Sequence, residues 1–114
     1  MEKQSSIQLE RDFELKWRLS ARAAAVICQT ALGFNSSIEI THGDERADAK
    51  SIMSLYVLGG EKEIRPALDA GDASFSWNGL KTGSNIRIIA LGADAADALA
   101  AIVEVLSRSD LDYG

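Results

Sequence analysis

The feature that most limits how this chain can fold is a change of apolar period at Ser20. Before it, Phe13, Leu15, Trp17 and Leu19 alternate with Glu14, Lys16 and Arg18, the two-residue period of a half-buried strand. After it, Ala24, Ile27, Cys28, Ala31 and Leu32 fall at i, i+3, i+4, i+7 and i+8, the pattern of an amphipathic helix of about three turns. One regular element cannot carry both periods, so a strand must hand over to a helix at this joint. Ser20 stands where an N-cap is needed and Gly33 where a C-terminal cap is needed.

The same reading continues along the chain. Ile38 and Ile40 alternate with Glu39 and Thr41 as a second strand, His42-Gly43-Asp44 is a turn, and a brief third strand is expected over 46–48. Residues 51–58 read as a short helix with Ser51 near its start, ended by Gly59-Gly60. Residues 85–91 are the clearest buried strand. Ala95, Ala98, Leu99, Ile102, Val103 and Leu106 repeat the helical spacing, with Asp94 as candidate cap.

The order is βαββα, a break, then βα. It predicts an α+β fold, an open-faced sandwich whose antiparallel sheet is covered on one face by helices. The break, about 61–80, holds Pro66 and the cluster Asp69-Ala70-Gly71-Asp72, and reads as an insertion. Its Phe75 and Trp77 are expected to fold back as a short strand or a flap. With 114 residues the chain is expected to form one domain, 1–114, with its core at about 11–108.

Twelve lysines and arginines against 17 acidic residues give a net charge of −5. No basic face for nucleic acid is expected from that balance. Cys28 is the only cysteine, which excludes an internal disulfide and a cysteine-based zinc site. It lies on the apolar face of its helix, as a buried thiol would. His42 stands alone in its turn, so no metal site and no nucleophile–histidine pair can be built around it. No cofactor motif is present. No run approaches the roughly 18 apolar residues of a membrane span, and Met1 to Ser6 carry no export signal. A cytoplasmic location away from the membrane is expected.

Two segments are specific. Leu19-Ser20-Ala21-Arg22-Ala23-Ala24-Ala25 and Ala49-Lys50-Ser51-Ile52-Met53 resemble the motifs L-H-A-R-P-A-A and A-K-S-I-M of the HPr family. These are the histidine-containing phosphocarriers of the bacterial sugar phosphotransferase system. The spacing of the motifs and the βαββαβα order match as well, over about 13–107 apart from 61–80. Ser20 then stands where the family carries its phosphorylated histidine, and Ala23 where it carries proline, while Arg22 is retained.

The resemblance implies a carrier fold without the carrier's chemistry. An imidazole can accept a phosphoryl group near neutral pH and hold it as a labile phosphoramidate. A serine hydroxyl with no adjacent base is a weak nucleophile, and its ester lacks the potential to pass the group on. No catalytic residue is therefore expected. Ser20 and Arg22 remain as a candidate anion site at a helix N-terminus; the simpler reading of Ser20 is a cap. Ser51 also reads as a cap, and in many Gram-positive relatives the matching serine is phosphorylated by a dedicated kinase.

Lys50, Ile52, Met53 and Leu55 are the candidate partner contacts, because the family's short helix exposes an apolar patch there. The partners implied are proteins: a kinase acting on Ser51, phosphotransferase-system or transcriptional regulators, and a second copy of the chain as a homodimer. A regulatory, partner-binding role leads. The alternatives are a carrier-like component phosphorylated on Ser20, and a structural or oligomerising module that uses 61–80. Near Ile52 and Met53 that insertion is expected either to cover the patch or to extend it, against the simpler reading that it widens the sheet at an edge.

Overall fold

The computed structural model describes residues 7–74 and 76–112; Phe75 and the segment 1–6, both discussed above, lie outside them. The elements run β1 (Ile7–Glu14), α1 (Ala21–Ala31), β2 (Ser37–His42), β3 (Glu45–Asp48), α2 (Ile52–Val57), α3 (Glu61–Asp69), β4 (Asn85–Gly92) and α4 (Ala95–Leu106). The four strands form one antiparallel sheet in the order β1-β4-β2-β3. The strand richest in isoleucine is thus central, and its Ile86, Ile88 and Ala90 are buried. Helix α4 lies across β1, β4 and β2, α1 packs on α4 and α2, and α2 packs on β3. This is the expected α+β open-faced sandwich.

The uncovered face of the sheet is charged. Arg87 Nε sits 2.7 Å from Asp12 Oδ1 and Arg87 Nη1 3.6 Å from Glu10 Oε1, and Arg46 lies 3.8 Å from Glu39. The Arg87 hydrogen bond and charge hold the Asp12 carboxyl below its usual range. Exposed pairs of this kind add little stability, but they keep one face of the sheet wet. The core therefore has to form on the helical side. Trp17, Ile27, Ile38, Ile40, Leu55, Ile88, Ile102 and Leu106 are all fully buried there. Cys28 is buried and free.

Four readings need correction. The first strand is not 13–19: β1 ends at Glu14, and 15–19 leave the sheet. Leu15, Trp17 and Leu19 are nevertheless buried, each about 1% exposed. Alternation reports an extended chain packed on one side; it does not report which backbone lies beside it. Here the partner is the loop before β4, through Leu15 N–H to Ser84 O, Gly83 N–H to Leu15 O and Leu19 N–H to Leu80 O, at 2.8–2.9 Å.

Residues 61–69 are not loop but helix α3, so the order is βαββααβα. Pro66 sits inside it and deprives the Lys62 carbonyl of its donor. Both residues are exposed, so the loss falls where water can compensate. Gly60 O accepts from Glu63 and Ile64 N–H to start the helix.

His42 closes β2 opposite Glu45, with the turn moved to Gly43-Asp44. Asp94 stands at the N-cap of α4 without capping it. Its carboxylate instead accepts from Asn35 N–H (2.9 Å), Ser36 N–H (2.8 Å) and the Ser36 hydroxyl, clasping the α1–β2 loop to the β4–α4 loop.

Two outcomes follow. Ile102 is fully buried, so Ile102→Ala should cost about 2–5 kcal/mol, read as a shift in the urea midpoint; under about 0.5 kcal/mol would mean α4 does not pack as placed. The Ser36 hydroxyl, first, and then the Asn35 amide hold Asp94 below its ordinary carboxyl value. Its contribution should be complete above the unfolded value of about 4 and disappear as pH falls through the lower folded one. Asp94→Asn should remove that part of the acid-unfolding curve; a curve of unchanged shape would show the clasp contributes nothing.

Candidate functional site

The joint at Ser20 is built as the sequence requires. Ser20 has extended dihedrals and its Oγ accepts from Ala23 N–H at 3.1 Å, an N-cap for α1. The side chain is nearly closed off, with Ser20 8% exposed. Ala24 N–H returns to Ser20 O at 2.8 Å. The N–H groups of Ala21 and Arg22 come before that first i→i−4 bond of the helix. Arg22 is exposed beside them. Ser20 and Arg22 are thus brought together, as expected, on one helix start.

Ser51 repeats the geometry on a shorter helix. Its dihedrals are extended and its Oγ accepts from Ser54 N–H at 3.2 Å. It is half-buried, while Ile52 and Met53 beside it are 43% and 67% exposed. Those two residues form an open apolar patch. Leu55 does not belong to it: the side chain is fully buried in the core, on a helix that packs against α1 and β3. Lys50 is half-buried, and its Nζ donates to Phe34 O at 2.9 Å, tying the start of α2 to the end of α1.

The segment 77–80 takes a course that the sequence did not disclose. Trp77 Nε1 donates to Tyr56 O at 2.6 Å, and the Tyr56 hydroxyl donates back to Trp77 O. The indole lies so close over Gly60 that a Cβ there would come within 2.7 Å of it. Arg18 Nη1 donates to Asn78 O at 2.5 Å, and Leu80 is buried in the core. The segment is a strap from the C-terminal end of α2 to the residues just before α1. It does not cover the Ile52–Met53 patch, because Trp77 is spent on the opposite end of that helix.

At Gly79 the strap passes the site most closely. With φ +94°, a Cβ at this position would lie 2.0 Å from Leu19 O and 3.4 Å from Ser20 N. The Asn78-Gly79 pair was the available sign of a turn; nothing local named Leu19 as its neighbour. Among the described residues no group of three or more His, Cys, Asp or Glu side chains is placed to hold a metal, and no helix is long and apolar enough to cross a membrane.

Comparison with known proteins agrees with this geometry. The family model described as the PTS HPr component phosphorylation site matches residues 7–65. Among solved structures the chain is similar to the histidine-containing phosphocarrier protein of Mycoplasma, with a TM-score of 0.65 and 28% identity over 93% of this chain and all of that one. It is similar to the phosphocarrier protein HPr of Bacillus anthracis, with a TM-score of 0.57 and 29% identity over 90% and 98% of the two chains. It also resembles Crh, the catabolite repression protein of Bacillus subtilis seen as a swapped, intertwined dimer, with a TM-score of 0.55 and 27% identity over 88% and 92%.

Two glycines separate sterics from backbone conformation. Gly83 has φ +89° with nothing within 4 Å of a built Cβ, so Gly83→Ala should cost about 1 kcal/mol for its dihedral alone. Gly79→Ala carries the same dihedral penalty and also collides with Leu19 O. Its loss of urea stability should be the larger by a clear margin; equal losses would show that the strap does not press on the residues before Ser20.

Proposed function

This chain belongs to the HPr family of phosphotransferase-system phosphocarriers, and from that premise we propose that it is a regulatory member without a phosphohistidine relay. Ser20, not histidine, is the residue at the relay position of the family motif. The observation that carries the reading is the state of that serine: its oxygen is engaged as a helix cap and the residue is 8% exposed. A hydroxyl so placed serves α1 and is not presented as a nucleophile, which weighs against a serine carrier. The one histidine of the chain, His42, belongs to the β2–β3 hairpin and not to α1.

The signal in this reading is phosphorylation of Ser51 by a dedicated serine kinase. A phosphate there would add about two negative charges at a helix start, where the backbone N–H groups and the dipole favour it. It would also replace the Ser51 cap within two residues of the exposed Ile52 and Met53. Those two side chains, with Lys50 behind them, are the surface offered to protein partners, phosphotransferase-system or transcriptional regulators. The similarity to Crh, described as a catabolite repression protein, supports regulation over relay. No enzymatic activity, cofactor, nucleic acid or membrane enters the reading.

Phosphoenolpyruvate and the general phosphotransfer enzyme should leave the chain free of acid-labile phosphate. An ATP-supplemented Gram-positive extract containing the family's serine kinase should place phosphate on Ser51, located by mass spectrometry. Ser51→Ala should abolish the label and Ser20→Ala should keep it. Acid-labile label, phosphate on Ser20, or no label on either serine would overturn the reading.

A further inference from the structure

The strap carries a reactive pair that none of the preceding roles uses. The chain has three asparagines, Asn35, Asn78 and Asn85, and of these only Asn78 is followed by glycine. Asn78 is exposed. Gly79 has no Cβ to hinder its own nitrogen from approaching the Asn78 Cγ. That approach is the step by which an asparagine closes a five-membered imide with its own backbone.

What limits the ring closure is the nucleophile. An amide nitrogen attacks only once its proton has left, and the negative charge then spreads onto the carbonyl oxygen of the same peptide. In the Asn78–Gly79 peptide that oxygen is Asn78 O, and Arg18 Nη1 donates to it at 2.5 Å. A guanidinium is a permanently charged donor. Aimed in advance at the atom where charge develops, it acts as an oxyanion hole does.

We propose that Asn78–Gly79 is a self-modification site, at which Arg18 promotes conversion of Asn78 to aspartate and isoaspartate. The Gly79 N–H proton passes to solvent, the bond from Gly79 N to Asn78 Cγ forms, and the Cγ–Nδ2 bond breaks, releasing ammonia. Water then opens the imide. Breaking the N–Cγ bond gives aspartate; breaking the bond to the Asn78 main-chain carbonyl carbon gives isoaspartate, whose main chain runs through Cβ and Cγ. One water enters, one ammonia leaves, and nothing is oxidised or reduced. The isoaspartate lengthens the strap by one carbon where it has least slack. Gly79 is pressed on Leu19 O, between ties from Arg18 to Asn78 O and from Leu19 N–H to Leu80 O. The freed main-chain carboxylate is a stronger partner for Arg18 than the carbonyl was, and Gly79 must move off Leu19. The product therefore loosens the strap where it seats the start of α1.

Ageing the full chain in mildly alkaline buffer and mapping its peptides by mass spectrometry tests this. Asn78 should gain one mass unit, as NH2 is replaced by OH, and become a substrate for an isoaspartyl methyltransferase. Asn35 and Asn85 should stay unchanged. Arg18→Gln, with circular dichroism unchanged, should slow the conversion at least about tenfold, the scale of a lost charged hydrogen bond. Arg18→Lys keeps the charge and should react at a rate between the two. An arginine that only held the strap in place would act in the opposite sense, since its loss would free Asn78 to react. The isoaspartyl form, separated by its extra negative charge, should exchange the Leu19 amide hydrogen faster than the parent chain. Asn78 converting no faster than Asn35 or Asn85, an Arg18→Gln variant at least as fast as the wild type, or unchanged Leu19 exchange in the isoaspartyl form would overturn the proposal.

Discussion

A stretch of chain that buries Leu15, Trp17 and Leu19 cannot leave its amides and carbonyls unpaired, and the requirement is sharper because 15–19 have left the sheet. The backbone that pairs with Leu15 and Leu19 is the loop leading to β4, at Leu80, Gly83 and Ser84. That pairing fixes where the strap must run, which brings Gly79 onto Leu19 and seats the start of α1. The Trp17 indole completes the arrangement from the other side by donating to Arg108 O at 2.6 Å, so the segment after α4 is held by the same residues and Leu111 becomes buried. One extended segment thus organises both the site and the end of the last helix.

The two serines show how a single local device can be set to different ends. Both cap a helix through their hydroxyl oxygen. Ser20 begins a helix of 11 residues that buries five side chains, and it is itself enclosed by Leu19 and the strap. Ser51 begins a helix of six residues that buries only Leu55. A change at Ser20 would act on the core, whereas a change at Ser51 acts on a short element with an exposed apolar neighbourhood. The difference lies in what each helix supports, not in the caps.

Much of the fold was legible because its signals are local. The stripes of α1 and α4, the isoleucines of β4 and the glycines after α2 each show their element without reference to the rest of the chain. What stayed hidden depends on distant backbone. Ile7 and Leu9 do alternate with Gln8 and Glu10, but Arg11 interrupts the apolar face before Phe13, and it is pairing with β4 that makes 7–14 one strand. Asp94 looked like a cap because a cap is local; its actual partners, Asn35 and Ser36, are 59 and 58 residues away in the chain. Helix α3 was the exception. Ile64, Ala67 and Leu68 do carry helical spacing, and Pro66 outweighed it although a proline on an exposed face costs only one solvent-side bond. Of the candidate site residues, the caps at Ser20 and Ser51 were legible from their place before each helix, while the core position of Leu55 needed the direction in which α2 faces.

The sheet order has a consequence in the time domain. β4 lies between β1 and β2, yet it is the last strand in the chain, and its register joins residues as distant as Ile7 and Gly92. Only the β2–β3 hairpin can close from local contacts. Emerging from a ribosome, Ile7–Glu14 has no strand to pair with until Asn85–Gly92 has been made, and β2 keeps one open edge for as long. Closing so large a loop is the slow, entropically costly kind of contact. The nascent chain must therefore travel most of its length with two unpaired strand edges, the condition under which chains most readily pair with one another.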